Sequence, residues 1–436
     1  MSDHTSTRRR VLQGIAASGL TVGFVGTGSA GSATTYVVTG GSRRKLESAG
    51  FSVTRELAGG SVTIVSGPED AEGELDSVGG VSGVTEDFEV DFAEPIAEDH
   101  TDDAAFTDLQ WDKEITDTFE AHHHATGEGT RIVVADTGVD GTHQDLAGNF
   151  NEELSVSFVN GGEEGPHIGD SGDHGTHVAG TAAATGGVGV TGTAPDAELV
   201  SVRVLGPDSS SFADVLAGAE YAADIGADAA NFSLGAGPYE PRANSDGLRV
   251  ATQKVMQDVA RRGTVLTVSS GNAETNLQQG GRFYVPGTVQ GVMTVSATGP
   301  NDEMAFYSNY GTNEIEVGAP GGGYETQAKT VDPEADVEYP YPTNLVYSSV
   351  PGDGYGWKAG TSMAAPQVAG LVGLIRELGP DMNVKRVESN IAHGADLVQG
   401  RSSPELGAGR INVLDTVERV GGNGGNGNGR GNGNGR

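Results

Sequence analysis

Arg131-Ile132-Val133-Val134-Ala135-Asp136-Thr137-Gly138 decides how this chain folds. Arg131–Ala135 is a short apolar run, the mark of a strand buried on both faces. An Asp closes the run and a Gly follows two residues later, so the carboxylate stands at the carboxyl end of the strand before a turn. Working outward, further strands are expected at Ala197–Val204 and Gly263–Ser269. Helices are expected at Thr176–Thr185, Ser211–Ile225, Leu248–Arg262 and Met363–Leu378. Strand and helix thus alternate from Phe106 to about Val420. This predicts an α/β fold, a parallel sheet with helices on both faces. Function then belongs at the carboxyl ends of the strands.

Three more segments carry chemistry. His174-Gly175-Thr176-His177-Val178-Ala179-Gly180 opens a helix with a His and packs it through small residues. Gly360-Thr361-Ser362-Met363-Ala364-Ala365-Pro366 sets a Ser at a helix N-terminus, where free N–H groups favour developing negative charge. Ser269-Ser270-Gly271-Asn272 puts an amide just past an apolar strand. Taken singly, these are a turn or helix cap, a structural His-Gly and an N-cap. Together they meet the needs of acyl transfer. A Ser hydroxyl is a weak nucleophile and needs a base in contact. A His accepts that proton near neutral pH. A buried carboxylate fixes the His tautomer and stabilises the imidazolium. Donors must also face the oxyanion, which Asn272 can supply.

The flanks are built differently. Residues 34–103 read as βαββαβ: Tyr36–Thr39, Phe51–Leu57, Ser61–Ser66 and Val84–Phe92 alternate as strands, with helices at Ser42–Ala49 and Glu69–Val78. That order is a small α+β ferredoxin-like unit. Glu94–Asp103 is acidic and unpatterned and reads as a linker. Residues 1–33 begin with Thr7-Arg8-Arg9-Arg10-Val11-Leu12, then a Gly/Ala-rich apolar stretch ending in small residues, the pattern of a twin-arginine export signal. Residues 421–436 are almost only Gly, Asn and Arg and read as a flexible tail after a 104–420 main domain.

In the order Asp136, His174, Asn272, Ser362, these motifs make the chain resemble the subtilisin-like serine proteases, the subtilases. The likeness extends to Ala229-Ala230-Asn231-Phe232-Ser233-Leu234-Gly235, Val317-Gly318-Ala319-Pro320-Gly321 and Gly407-Ala408-Gly409-Arg410-Ile411-Asn412. It implies a serine endopeptidase with Ser362 as nucleophile, His174 as general base, Asp136 orienting it and Asn272 as oxyanion donor. It implies that Ser233, Leu234 and Gly235 pair with an extended polypeptide substrate, as an added strand. Ser269, Ser270 and Gly271 would line the other side of the pocket for the side chain before the scissile bond. Glycine and serine walls predict an open, broadly tolerant pocket. Residues 34–95 resemble the family's inhibitory propeptide, so the precursor should cut itself, near Asp99–Asp108. With its acidic surface and export signal, the chain resembles halolysin-type secreted precursors of halophilic archaea. A binding module without turnover, or an esterase using the same residues, are the other readings. The substrate-pairing segment favours polypeptides.

Composition sets the setting. With 60 Asp+Glu against 26 Lys+Arg among 436 residues, the net charge is −34, and both flank and main domain share it. Such a surface repels nucleic acid and fits multimolar salt, where screening quenches self-repulsion. No Cys means no disulfide, thiolate metal site or Cys nucleophile, and no lipoprotein anchor. An extracellular monomer without a membrane anchor is expected. The chemistry needs no cofactor. Structural calcium is open: by resemblance Asp145 matches a calcium-ligand position, whereas Thr185-Gly186-Gly187-Val188-Gly189 offers no Asn or Asp. His122-His123-His124 cannot share one ion if helical, because neighbours point apart. Asp173, where the family often has Gly, favours charged His174 if it faces the cleft. Gln367 follows Pro366 where the family often has His, and little effect is expected. Gly322–Pro342 reads as an acidic surface loop.

Overall fold

A computed structural model describes residues 33–90, 95–101, 107–206, 210–239, 247–397 and 403–423. The twin-arginine stretch and residues 424–436 of the tail lie outside the described residues.

The small N-terminal unit runs β1 (Thr34–Gly40), α1 (Arg43–Ser48), β2 (Ser52–Leu57), β3 (Val62–Gly67), α2 (Glu72–Asp76) and β4 (Val81–Glu86). Its strands pair in the order β2-β3-β1-β4, all antiparallel. Period-two alternation gives the sheet two apolar faces. Tyr36, Val38, Val65 and Val84 pack under Leu46 of α1 and Leu75 of α2. Val37, Val62 and Ile64 turn the other way, into the core of the main domain.

The next strand, β5 (Ala97–Thr101), corrects the linker reading. It has no apolar alternation to announce it, and it forms because the exposed edge of a later strand supplies its hydrogen bonds.

The main domain follows with α3 (Trp111–Ile115), α4 (Thr118–Ala121), β6 (Arg131–Asp136), β7 (Val156–Ser157), β8 (Gly165–Pro166), α5 (His174–Ala183), β9 (Glu198–Arg203) and α6 (Phe212–Asp224). It continues with β10 (Ala229–Phe232), β11 (Ala236–Tyr239), α7 (Leu248–Arg262), β12 (Val265–Ser269), β13 (Phe283–Val285), β14 (Met293–Thr298) and β15 (Val317–Pro320). Last come α8 (Gln327–Val331), β16 (Val346–Val350), β17 (Gly354–Ala359), α9 (Thr361–Leu378), α10 (Val384–Gly394) and α11 (Val413–Asn423). Eight strands form the central sheet in the order β15-β14-β12-β10-β6-β9-β7-β8, parallel except for β7 against β8.

Residues of β6 alternate between the two faces. Val133 and Ala135 pack beneath α6 and α7, together with Val37, Val62 and Ile64 of the small unit. Ile132 faces α9, α10 and α11, and Val134 faces α5. Burying each such side chain contributes about 1.5–3 kcal/mol as an upper bound. Small residues let α5 and α9 approach closely: a Cβ on Gly370 would lie 2.5 Å from Thr193 Cβ and 2.8 Å from the Ala182 carbonyl.

Three further expectations change. The helix expected at 176–185 begins at His174, and the one expected at 363–378 begins at Thr361, so both proposed catalytic residues sit in the first helical turn. The segment read as a loop before the Ser motif contains α8 and buries Tyr324. Helix α11 runs to Asn423, past the start of the expected tail, because Val413, Val417 and Val420 give it an apolar face. No helix among the described residues is long and apolar enough to cross a membrane.

Candidate active site

Asp136 ends β6 and is fully buried. Its Oδ1 accepts from His174 Nδ1 at 2.7 Å and from the Thr137 amide at 2.7 Å. Because a carboxylate only accepts, His174 must carry its proton on Nδ1, which leaves Nε2 to act as base. Glycine at 175 is what lets His174 open a helix here, since a Cβ there would lie 2.0 Å from the Gly138 carbonyl. The Gly175 amide is held by Thr137 Oγ1 at 2.9 Å, so strand end and helix start are tied together.

Ser362 stands in the first turn of α9, which packs on α5. Its carbonyl has no intrahelical donor at the i+4 position, because residue 366 is Pro and lacks an N–H. Ser233 Oγ donates to that carbonyl at 2.7 Å instead, while Asn231 Nδ2 donates to Ser233 Oγ at 2.9 Å. The proline thus frees a carbonyl that binds the candidate substrate segment to the nucleophile. Ser362 Oγ itself donates to the Ser233 carbonyl at 3.3 Å.

Asn272 is oriented without ambiguity. Its Oδ1 accepts from the Thr361 amide at 3.0 Å and from Thr361 Oγ1 at 2.9 Å. Its buried Nδ2 finds no acceptor among the described residues. An unpaired buried donor is costly, and this one is set beside the residue next to Ser362, so it is ready for a developing oxyanion. Asn309 braces the loop: its Nδ2 donates to the Ser270 carbonyl at 2.8 Å and its Oδ1 accepts from Ala273 and Thr275. Nothing in the sequence pointed to Asn309, which lies far from the motifs.

Other expectations fall out differently. The Asp173 carboxylate faces Lys358 Nζ at 3.0 Å and His100 Nε2 at 3.5 Å, and those contacts use it up. Lys358 is fully buried and also reaches Glu98 Oε2 at 2.7 Å. Glu98, His100 and Asp173 could be taken for a metal site, but the Lys358 ammonium already pairs with both carboxylates. One helical turn past His174, burial pushes His177 well below its ordinary pKa. It stays neutral, donating from Nε2 to the Val346 and Gly356 carbonyls. Gln367 is buried and donates to the Pro320 carbonyl at 2.7 Å. His122 turns inward to the Thr193 carbonyl, whereas His123 and His124 face Glu120 and Glu418, so the three do not share an ion.

Asp145 does not fit a calcium ligand here. Its Oδ1 accepts from the Val188 amide at 2.7 Å; its Oδ2 accepts from Gly189 at 2.9 Å, Val190 at 3.1 Å and the Tyr355 hydroxyl at 2.7 Å. Those are four donors, and a hard cation needs oxygen lone pairs around it. The loop 186–190 does with amides what a cation would otherwise do for this carboxylate.

Chain from the N-terminal side also pairs with the main domain. The Phe212 amide donates to the Phe88 carbonyl at 3.0 Å and the Val90 amide to the Ser210 carbonyl at 2.8 Å, while Glu89 pairs antiparallel with Ser211. Past it, the Ile96 amide donates to the Ala359 carbonyl at 2.8 Å, and β5 continues antiparallel along β17. Ser210 and Ser211, a second edge for an extended chain, were not singled out from sequence; no motif marks them.

A parallel α/β sheet with an Asp–His pair at a strand end and a Ser at a helix start defines a class of serine-type peptidases. The pattern described as "Subtilase family" matches residues 127–409, and the chain belongs to that family. It is 32% identical to Subtilisin Savinase of Lederbergia lenta over 295 residues, 67% of this chain and 92% of that one. It is 30% identical to Thermitase of Thermoactinomyces vulgaris over 319 residues, 72% and 98% of the two chains. Against Alkaline elastase YaB of Bacillus sp. (strain YaB), identity is 33%, and this chain spans only 64% of that protein's length. Among solved structures, the epidermin leader peptide processing serine protease of Staphylococcus aureus shares the fold, with TM-score 0.75 at 19% identity, covering 89% of this chain and 98% of that one.

Proposed function

We propose that this chain is a secreted, self-processing serine endopeptidase adapted to high salt. The observation that carries the reading is the buried Asp136–His174 pair at 2.7 Å at the start of α5, which packs against the helix that carries Ser362, with Asn272 held on Thr361 and its Nδ2 without an acceptor among the described residues. Ser362 Oγ attacks the peptide carbonyl carbon as its proton passes to His174 Nε2. The carbonyl oxygen becomes an oxyanion that accepts from Asn272 Nδ2 and the Ser362 amide. When the tetrahedral species collapses, the C–N bond breaks and His174 returns the proton to the leaving amine. Water then hydrolyses the acyl-enzyme by the same route.

The N-terminal unit acts as an intramolecular inhibitor. Its last described residues enter the cleft along Ser210 and Ser211, and the chain resumes at Ile96 against Ala359, three residues before Ser362. Val90 pairs with Ser210 on one side and Ile96 with Ala359 on the other, so the cut is proposed in the segment between them. This moves the proposed cut from Asp99–Asp108 to between Val90 and Ile96, because Asp99–Thr101 is committed to pairing with β17. Export by the twin-arginine route, and the acidic surface of net charge −34 as adaptation to brine, complete the reading.

The test is expression of the Ser362→Ala precursor in high salt. It should remain uncut and lose casein hydrolysis by on the order of a million-fold, and the unmutated mature enzyme should begin between residues 91 and 96. Normal maturation of the Ser362→Ala precursor would overturn the reading.

A further inference from the structure

Ser233–Gly235 and Ser269–Gly271 face each other beside Ser362. On the endopeptidase reading, on which this inference rests, they are the walls of the pocket for the side chain before the scissile bond. The space between them is filled. Tyr284, the middle residue of β13, lays the hydroxyl end of its ring there. A Cβ on Gly235 would lie 2.4 Å from Tyr284 Cε1, 2.4 Å from Cζ and 2.5 Å from the hydroxyl oxygen. A Cβ on Gly271 would lie 2.9 Å from Cζ and 3.1 Å from Cε2. The ring touches both walls at once, and neither wall residue could carry a side chain with the ring in place. Glycine at 235 therefore does not open the pocket, as the sequence suggested, but admits the tyrosine; glycine at 271 admits both the ring and Asn309 Nδ2, which would lie 2.6 Å from a Cβ there.

The ring is also held. Tyr284 is only 4% exposed. Its amide donates to Thr288 Oγ1 at 2.8 Å, and its carbonyl accepts from the Thr288 amide at 2.6 Å and from Thr288 Oγ1 at 2.8 Å. The turn at 284–288 thus fixes the backbone from which the ring projects, and a residue entering the pocket meets a packed aromatic floor.

We propose that Tyr284 is a specificity-determining residue that fills this pocket and restricts the position before the scissile bond to small side chains such as Gly, Ala and Ser. A phenylalanyl or leucyl side chain would have to expel the ring from between Gly235 and Gly271. A single methylene in an apolar pocket already changes specificity by about 10- to 200-fold, so excluding a whole ring should exceed tenfold.

The test uses the mature enzyme and chromogenic peptide anilides of sequence Ala-Ala-Pro-X, with X either Ala or Phe. The Ala substrate should show kcat/KM at least about tenfold above the Phe substrate. Tyr284→Phe should keep that preference, and Tyr284→Gly should reverse it. Because Tyr284→Gly leaves a large cavity, the preference is also read on the unmutated enzyme as competitive inhibition by peptide aldehydes ending in Ala or Phe. Equal or better cleavage of the Phe substrate by the unmutated enzyme overturns the proposal while leaving the endopeptidase reading intact. Failure to cleave either substrate, together with no reaction with a fluorophosphonate, overturns both.

Discussion

Two attachments hold the N-terminal segment across the cleft, and they are made of different forces. At the first, Phe88 stacks on Phe212 with ring centroids 5.1 Å apart and meets Tyr239 edge-on at 6.3 Å, while Val90 is buried in the main core. At the second, only Ile96 and Ala97 pack, partly buried, against the core, and β5 relies mainly on backbone pairing and on Glu98, His100, Lys358 and Asp173. Burial does not weaken with salt, whereas exposed charge pairs are screened. If the N-terminal unit inhibits the enzyme as proposed, the first attachment is the one that should retain it in high salt. The second is the one suited to letting go.

The largest effect expected from breaking this contrast is at Phe88. Phe88→Ala removes a half-buried stacked ring worth about 2 kcal/mol, or roughly thirtyfold in dissociation. The lag before the processed precursor gains casein activity should shorten by about tenfold or more on that scale. An unchanged lag would mean that the first attachment does not control release.

A smaller effect is expected from pH. His100 and Lys358 hold Glu98 down at about 2, and Glu98 in turn raises His100. The lowered carboxylate adds hold above its ordinary 4.5, which is lost as pH falls toward 2. The raised imidazole adds hold below its ordinary 6.5, which is lost as pH climbs through its raised value. The β5 strand is thus held best between about 4.5 and 6.5. At the other attachment burial raises Asp87 to about 6 and Asp214 to about 7, so that end also loosens as pH climbs through 6 to 7, but not in acid. Amide exchange on the Ser362→Ala precursor, expressed as protection factors, should show both ends weaker at pH 8 than at pH 5. At pH 3 only the β5 amides should lose protection. Parallel loss at both ends in acid would erase the distinction.

The smallest expected effect is at Asp145. Because four donors already satisfy its carboxylate, EDTA should leave the melting temperature in 3 M salt unchanged within error. A clear drop would show a cation that these donors do not explain.

The same contrast explains what the sequence could tell. Asp136, His174, Asn272 and Ser362 were legible because each follows from local grammar: a carboxylate ending an apolar run, a His or Ser opening a helix, an amide after a strand. The alternating strands of the small unit were legible for the same reason. The β5 strand was not, because Ala97–Thr101 has no pattern of its own and is made a strand by the edge of β17. Tyr284 and Asn309 were missed because what matters is the wall or loop they meet, which comes from distant chain. Asp145 was read as a metal ligand because spacing shows the carboxylate but not the three amides and the hydroxyl that face it. Local signals thus marked the candidate residues, and tertiary contacts supplied the surroundings on which the proposed selectivity and control rest.

The account's central claim is that Ser362, activated by His174, is the nucleophile. The most direct measurement is fluorophosphonate labelling of the mature enzyme in 3 M salt, followed by peptide mapping, with His174→Ala alongside. The account predicts a single modified residue, Ser362, and no label in His174→Ala. Label on another serine, or equal labelling of Ser362 without His174, would contradict it.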